Sequence, residues 1–110
     1  MNWNNILSLQ DIQAIVTNSY HRPQVIYKHS TRCGISALVL ARLKSGVPGV
    51  DYYLLDLIAF REISNYIAQT FHVTHQSPQI LIIINGKCIF DTSHMNISSK
   101  VIEKEINEYV

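Results

Sequence analysis

The sequence predicts an α/β fold in which a four-stranded mixed β-sheet is flanked by helices on both faces. Three observations predict it. Runs of β-branched and aromatic residues alternate with amphipathic stretches long enough to be helices, which is the pattern of parallel strands joined by crossovers. The last two apolar runs are separated only by Asn85-Gly86, the strongest short hairpin signal in the chain. A cysteine, Cys33, stands where the first apolar run gives way to a helical pattern, and a proline, Pro78, opens the third run.

Each element has its own local reason. Ser8 caps a first helix, with Asp11 at the capping-box position and Ile12, Ile15 and Val16 as its apolar stripe. That helix ends near Asn18, and His21-Arg22-Pro23 turns the chain into a strand from Gln24 to His29. A second helix begins at Cys33 and runs to about Lys44. Ile35, Leu38, Val39 and Leu43 are its expected inward face and Gly46 is its stop. After Pro48-Gly49, the segment from Val50 to Ile58 suits a strand buried on both faces. Phe60, Ile63, Ile67 and Phe71 mark a third helix. Strands from Gln79 to Ile84 and Lys87 to Asp91 form the closing hairpin. A last helix from Asn96 to Tyr109 carries Val101, Ile102 and Ile106 inward. The order is α-β-α-β-α-β-β-α, the thioredoxin-like arrangement. In that arrangement Ser77-Pro78 is a cis peptide facing Cys33, with the Ser77 backbone left free to pair with an extended substrate.

The 110 residues fit one domain, residues 1–110, large enough to bury a core. A net charge of +1 gives no reason to expect nucleic acid or an anionic membrane as partner. The longest apolar run, Ile80 to Ile84, falls far short of the ~20 residues of a membrane span. The start of the chain has neither the basic nor the apolar region of a signal peptide, so the expected setting is the cytoplasm. That compartment is reducing, and a structural disulfide between Cys33 and Cys88 is not expected there.

The chemistry concentrates at His29-Ser30-Thr31-Arg32-Cys33-Gly34-Ile35-Ser36. A cysteine in the first turn of a helix meets unpaired N–H groups and the positive end of the helix dipole, both of which stabilise a thiolate. Arg32 adds a positive charge, and Ser36 sits one turn on. The spacing is that of Cys-x-x-Cys with the second thiol replaced by an alcohol. Such a site attacks a disulfide and holds a mixed disulfide, but has no second cysteine of its own to resolve it. Ser36 either donates to the thiolate or is merely tolerated in the turn. Arg32 either attracts an anion or is a solvated surface residue. Thr31 caps the helix, contacts substrate backbone, or does both. Cys88, beyond the hairpin turn, reads as a packed strand residue rather than a resolving thiol. His29 reads as a space-filling neighbour and Asp56 as a cap for the following helix. His72, His75 and His94 lack zinc-site spacing, so no metal is expected.

Several of these segments together resemble the monothiol bacilliredoxins of the bacillithiol system. They are Lys28-His29-Ser30-Thr31-Arg32-Cys33 with Ile35-Ser36, Arg61 with Ser64-Asn65, His75-Gln76-Ser77-Pro78-Gln79, Asn85-Gly86-Lys87 and Ser93-His94. The resemblance implies thiol exchange with Cys33 as nucleophile. For that chemistry the expected thiolate-stabilising residues are Ser36 and Gly34, the latter through a backbone N–H that proline lacks, and the expected substrate-binding residues are Thr31, Arg32, Ser77 and Pro78. The resemblance also implies bacillithiol as co-substrate with no bound cofactor, and bacillithiolated proteins as partners. The malate carboxylates of bacillithiol give Arg32 an anion to attract. One residue departs from the pattern, because the family's usual proline after the cysteine is Gly34 here. Cys33-Gly34-Ile35-Ser36 also fits the Cys-Gly-x-Ser string of monothiol proteins that hold an iron–sulfur cluster between subunits, which is the alternative function. A regulatory domain with an incidental thiol is a further alternative. Arsenate reduction would need an arginine cluster that the sequence does not display.

Overall fold

The computed structural model describes residues 1–109. Its strands are β1 (Trp3–Asn5), β2 (Gln24–His29), β3 (Asp51–Asp56), β4 (Gln79–Ile84) and β5 (Lys87–Ser93). Its helices are α1 (Leu9–Asn18), α2 (Gly34–Arg42), α3 (Arg61–Phe71) and α4 (Ser99–Tyr109), with a short 3-10 turn at His94–Asn96. The sheet order is β1-β3-β2-β4-β5. β1 and β2 both run parallel to β3, whereas β4 is antiparallel to β2 and to β5.

The sheet therefore has five strands, not four. The additional strand, β1, is short and lies at the edge. Trp3-Asn4-Asn5 has no apolar alternation, which is why pattern alone passes over it. Its backbone pairs with Tyr52 to Leu54, and the Trp3 ring packs edge-on to Tyr52 at 5.6 Å and tilted to Tyr27 at 5.9 Å.

The period-2 alternation of the central strands divides the core in two. Val25 and Tyr27 of β2, with Ile80, Ile82 and Ile84 of β4, face α2 and α4 through Val39, Leu43, Ile102 and Ile106. Ile26, Leu55, Leu81 and Ile83 face the opposite way and pack on α1 and α3 through Ile12, Ile15, Ile63, Ile67 and Phe71. β4 is buried along its whole length, and so is β2 up to His29, which is half-buried. α1 starts with the expected capping box: Ser8 Oγ accepts from the Asp11 N–H, and Asp11 Oδ2 accepts from the Ser8 N–H.

The face of α2 differs from expectation. Ile35 and Leu38 are 47% and 53% exposed, and the buried positions are Ser36, Val39 and, at the helix end, Leu43. The sheet-facing row is set by Ser36, whose hydroxyl is drawn to polar groups at the end of β2. That phase turns Ile35 and Leu38 outwards. The helix also stops earlier, at Arg42, and β5 runs two residues longer, to Ser93.

Candidate functional site

The parallel strands β2 and β3 end together at His29 and Asp56, and the helices that follow them start at that same edge. Ligands of open α/β sheets bind at this edge, outside the carboxyl ends of the strands. Cys33 stands here as the N-cap residue of α2, one position before the first turn. It is extended, with φ −113° and ψ 116°, and half-buried. Its own N–H donates to the Ser30 carbonyl at 3.2 Å, which closes a tight turn under the sulfur. An N-cap normally offers an oxygen to the free amides of the first turn, but this one makes no side-chain cap hydrogen bond. The amides of Gly34, Ile35 and Ser36 thus have no protein acceptor among the described residues.

Among the described residues no hydrogen bond joins the Ser36 hydroxyl to the Cys33 sulfur. Ser36 Oγ accepts from the Ser30 N–H at 3.1 Å, lies 2.7 Å from His29 Nδ1 and 3.4 Å from the Tyr27 hydroxyl. The Tyr27 hydroxyl in turn donates to the Ser36 carbonyl at 2.8 Å. The hydroxyl is thus a buried peg that fixes the 30–33 turn from below. The physical reason is strand alternation. Tyr27 and His29 lie on the α2 face of β2, and their polar atoms meet the one hydroxyl that the helix turns inwards. His29 is part of this network rather than a filler. Burial pushes its pKa down, against a smaller upward pull from the Asp56 carboxylate. The Tyr27 pKa is raised by burial, lowered by its bond to Ser36, and raised again by the charge of the nearby Cys33 thiolate.

Thr31 and Arg32 are exposed on the loop before Cys33. Arg32 makes no ion pair among the described residues, where Arg22 with Asp51 at 3.2 Å is the one ion pair. The Ser77–Pro78 peptide is cis. Carrying the antiparallel register one and two residues beyond the Lys28↔Gln79 pair sets Pro78 beside His29 and Ser77 beside Ser30, at the foot of the Cys33 turn. Among the described residues the Ser77 backbone has no hydrogen-bond partner, while the Pro78 carbonyl accepts from the His94 N–H at 3.0 Å. Ser77 Oγ is buried and unpaired. A Cβ at Gly34 would meet nothing within 4 Å, so space does not explain the glycine. Asp56 Oδ1 accepts from the N–H groups of Ile58 and Ala59, before α3, which is a capping role.

Cys88 lies at the other end of the sheet. It pairs with Ile83, five residues along β4 from the site edge, roughly 15 Å at ~3.3 Å per residue. Its Sγ–H donates to the Phe90 carbonyl at 3.3 Å, and burial, more than the Asp91 carboxylate, pushes the thiol pKa up to about 11. Both cysteines are free.

Two buried polar residues escape a reading by motif. Lys28 is fully buried on the α3 side of β2, with Nζ donating to the Ser64 carbonyl at 3.1 Å and to His75 Nδ1 at 3.2 Å. Burial lowers its pKa to about 8. Its cross-strand partner Gln79 donates to the Thr74 carbonyl at 3.0 Å and to Asp91 Oδ2 at 3.2 Å, and accepts from the Gln76 N–H at 3.4 Å. Together they hold Thr74, His75 and Gln76, in the segment that leads to Ser77-Pro78. The signal for both was in the sequence: a charged or amide side chain inside an otherwise continuous apolar strand must be paired. Histidines 72, 75 and 94 do not converge, and no group of metal-ligating residues occurs among the described residues.

A thiol at a helix N-cap position, at the sheet edge that also carries a cis-proline, on a mixed sheet covered on both faces, defines a thioredoxin-fold thiol–disulfide oxidoreductase. The family model of the monothiol bacilliredoxin BrxC matches residues 4–102, and the chain belongs to that family. Solved structures agree on the fold. A proposed oxidoreductase with a thioredoxin fold superposes with a TM-score of 0.83 at 24% identity, over 93% of this chain and 91% of the other. The Malassezia sympodialis thioredoxin Mala s 13 gives 0.73 at 18% identity, over 99% and 92%. The Trypanosoma brucei brucei thioredoxin gives 0.71 at 15% identity, over 98% and 90%. No helix among the described residues is long and apolar enough to cross a membrane.

Proposed function

We propose that the protein removes bacillithiol from protein mixed disulfides through nucleophilic attack by Cys33. The observation that carries this reading is the half-buried thiol at the N-cap of α2, at the head of a first turn whose three amides have no protein acceptor among the described residues. The Cys33 thiolate attacks the bacillithiol sulfur of a modified client, and the Cys33–bacillithiol disulfide forms as the client–bacillithiol disulfide breaks. The client sulfur leaves with the electron pair and takes a proton from water. A second bacillithiol thiolate then attacks the bacillithiol sulfur held on Cys33, releasing bacillithiol disulfide and regenerating the Cys33 thiolate. Bacillithiol is thus a co-substrate, modified client proteins are the partners, and the reducing cytoplasm is the setting. In this cycle the Gly34 N–H helps hold the thiolate. The free Ser77 backbone aligns the mixed disulfide beside Pro78, and Thr31 and Arg32 form the opposite rim.

The test is release of bacillithiol from a purified modified client by three proteins. The wild type and Cys88→Ser are expected to turn over at comparable rates and Cys33→Ser to be inactive. A folded but inactive Cys88→Ser, or a Cys33–Cys88 disulfide trapped during turnover, would overturn the one-cysteine cycle.

A further inference from the structure

Lys28 is a buried ammonium group with no carboxylate paired to it among the described residues. An uncompensated buried charge is costly, and here the acceptors among the described residues are the Ser64 carbonyl and His75 Nδ1. An ammonium can only donate, so His75 Nδ1 must accept, and the proton of the neutral ring is on Nε2. His75 is half-buried, so Lys28 works from below to fix a ring whose other nitrogen is an N–H donor. Arg61 lies one helical turn before Ser64 on the same face of α3, and Ser64 Oγ is 3.4 Å from His75 Nδ1. Arg61 is exposed and unpaired among the described residues. After burial, the positive charges of Lys28 and Arg61 are what depress the His75 pKa, which keeps the ring neutral and donating. Two cations and a fixed N–H donor therefore lie at the edge that carries Cys33, the donor two residues before Ser77; among the described residues neither cation is ion-paired, and the carboxylate at that edge, Asp56, is engaged by the Ile58 and Ala59 N–H groups.

We propose that Arg61 and His75, with Lys28 behind them, form a carboxylate-recognition site for the low-molecular-weight thiol of the mixed disulfide. The site rests on the proposed function in that the thiol it suits carries carboxylates. Arg61 meets a carboxylate through paired N–H donors, and His75 Nε2–H adds a third. An arriving anion also supplies the counter-charge that Lys28 lacks. Arg32, on the loop before Cys33, is not needed for this contact.

The test uses a neutral cysteine peptide whose thiol is blocked either by mercaptosuccinate, which carries two carboxylates, or by mercaptoethanol, which carries none. Release of the peptide thiol is followed for each, and the ratio of the two rates is compared between proteins. The wild type is expected to favour the mercaptosuccinate disulfide. Arg61→Gln should lower the ratio about tenfold, the loss of one charge-assisted contact. Arg61→Lys should keep part of the preference, and Lys87→Gln, at the distant hairpin, should keep all of it. An unchanged ratio in Arg61→Gln overturns the site, as does an equal fall in Lys87→Gln or a wild type that does not discriminate. Nitrogen–proton correlation spectra supply a second readout, in which His75 must carry its proton on Nε2, and a proton on Nδ1 refutes the arrangement. Because neither disulfide contains bacillithiol, a wild type that discriminates here but ignores bacillithiolated clients would remove the proposed function and leave the site standing.

Discussion

Ser36 carries a consequence specific to one hydroxyl. Its oxygen is the sole side-chain acceptor for the Ser30 N–H, and it sits 2.7 Å from His29 Nδ1. Removing it leaves a buried backbone donor without a partner, which costs about 1–3 kcal/mol. Ser36→Ala should therefore lower the urea midpoint of unfolding, and it should slow thiol exchange because the turn that aims Cys33 is no longer pinned. The two effects are expected together. Slowed exchange at unchanged stability would mean instead that the hydroxyl serves the sulfur directly. Sequence spacing placed Ser36 one turn from Cys33 and could go no further. The direction of its hydroxyl depends on Tyr27 and His29, which reach it from a neighbouring strand.

Among the elements, β1 is the one whose role exceeds its length. Trp3 bridges Tyr52 of β3 and Tyr27 of β2, and Tyr27 holds the Ser36 carbonyl. A three-residue edge strand is thereby tied to the floor of the site. Trp3→Ala should cost about 2–3 kcal/mol, below the range for a fully buried tryptophan because this ring is only partly covered. The loss is read as a shift in the urea midpoint, and Asn2→Ala, exposed and outside the strand, serves as the comparison. Equal effects of the two substitutions would show that Trp3 is dispensable. The contrast with other elements explains what was legible in the sequence. β2 and β4 were readable to the residue because each centres on a run of β-branched, aromatic or leucine residues bounded by proline or turn residues. α1 was readable through its capping box. β1 has no pattern of its own and exists because β3 offers it a free edge. The outward turn of Ile35 and Leu38 was hidden for a related reason: helical spacing says which residues share a face, but a polar contact decided which face points in.

Across the whole molecule, stability depends on pH through groups buried in unequal protonation states. Lys28 has a folded pKa of about 8 against 10.5 for the free side chain. Between those values the unfolded chain binds more protons than the folded one, so stability from this group rises with pH across the window. It is fully present above 10.5 and lost as pH falls through about 8. His29 and His75 are depressed as well and act in the same sense at lower pH, adding stability as pH rises towards the ordinary histidine value of 6.5. Cys88 works the other way. Its thiol is raised from 9.0 to about 11, so its contribution falls as pH climbs through that range. The tyrosines Tyr27, Tyr52 and Tyr53 are raised too and act in the same sense as Cys88, above their ordinary value of 10.0. Between about pH 8 and 9 it is thus Lys28 that governs the pH dependence, and the wild type should gain on the order of 1 kcal/mol over that interval. Urea unfolding at the two pH values measures the gain directly. Lys28→Met removes the titrating group while keeping most of the buried stem, and should unfold at nearly the same midpoint at both. A wild-type midpoint that does not move, or a Lys28→Met midpoint that moves equally, would show that the ammonium beneath His75 does not control stability in this range.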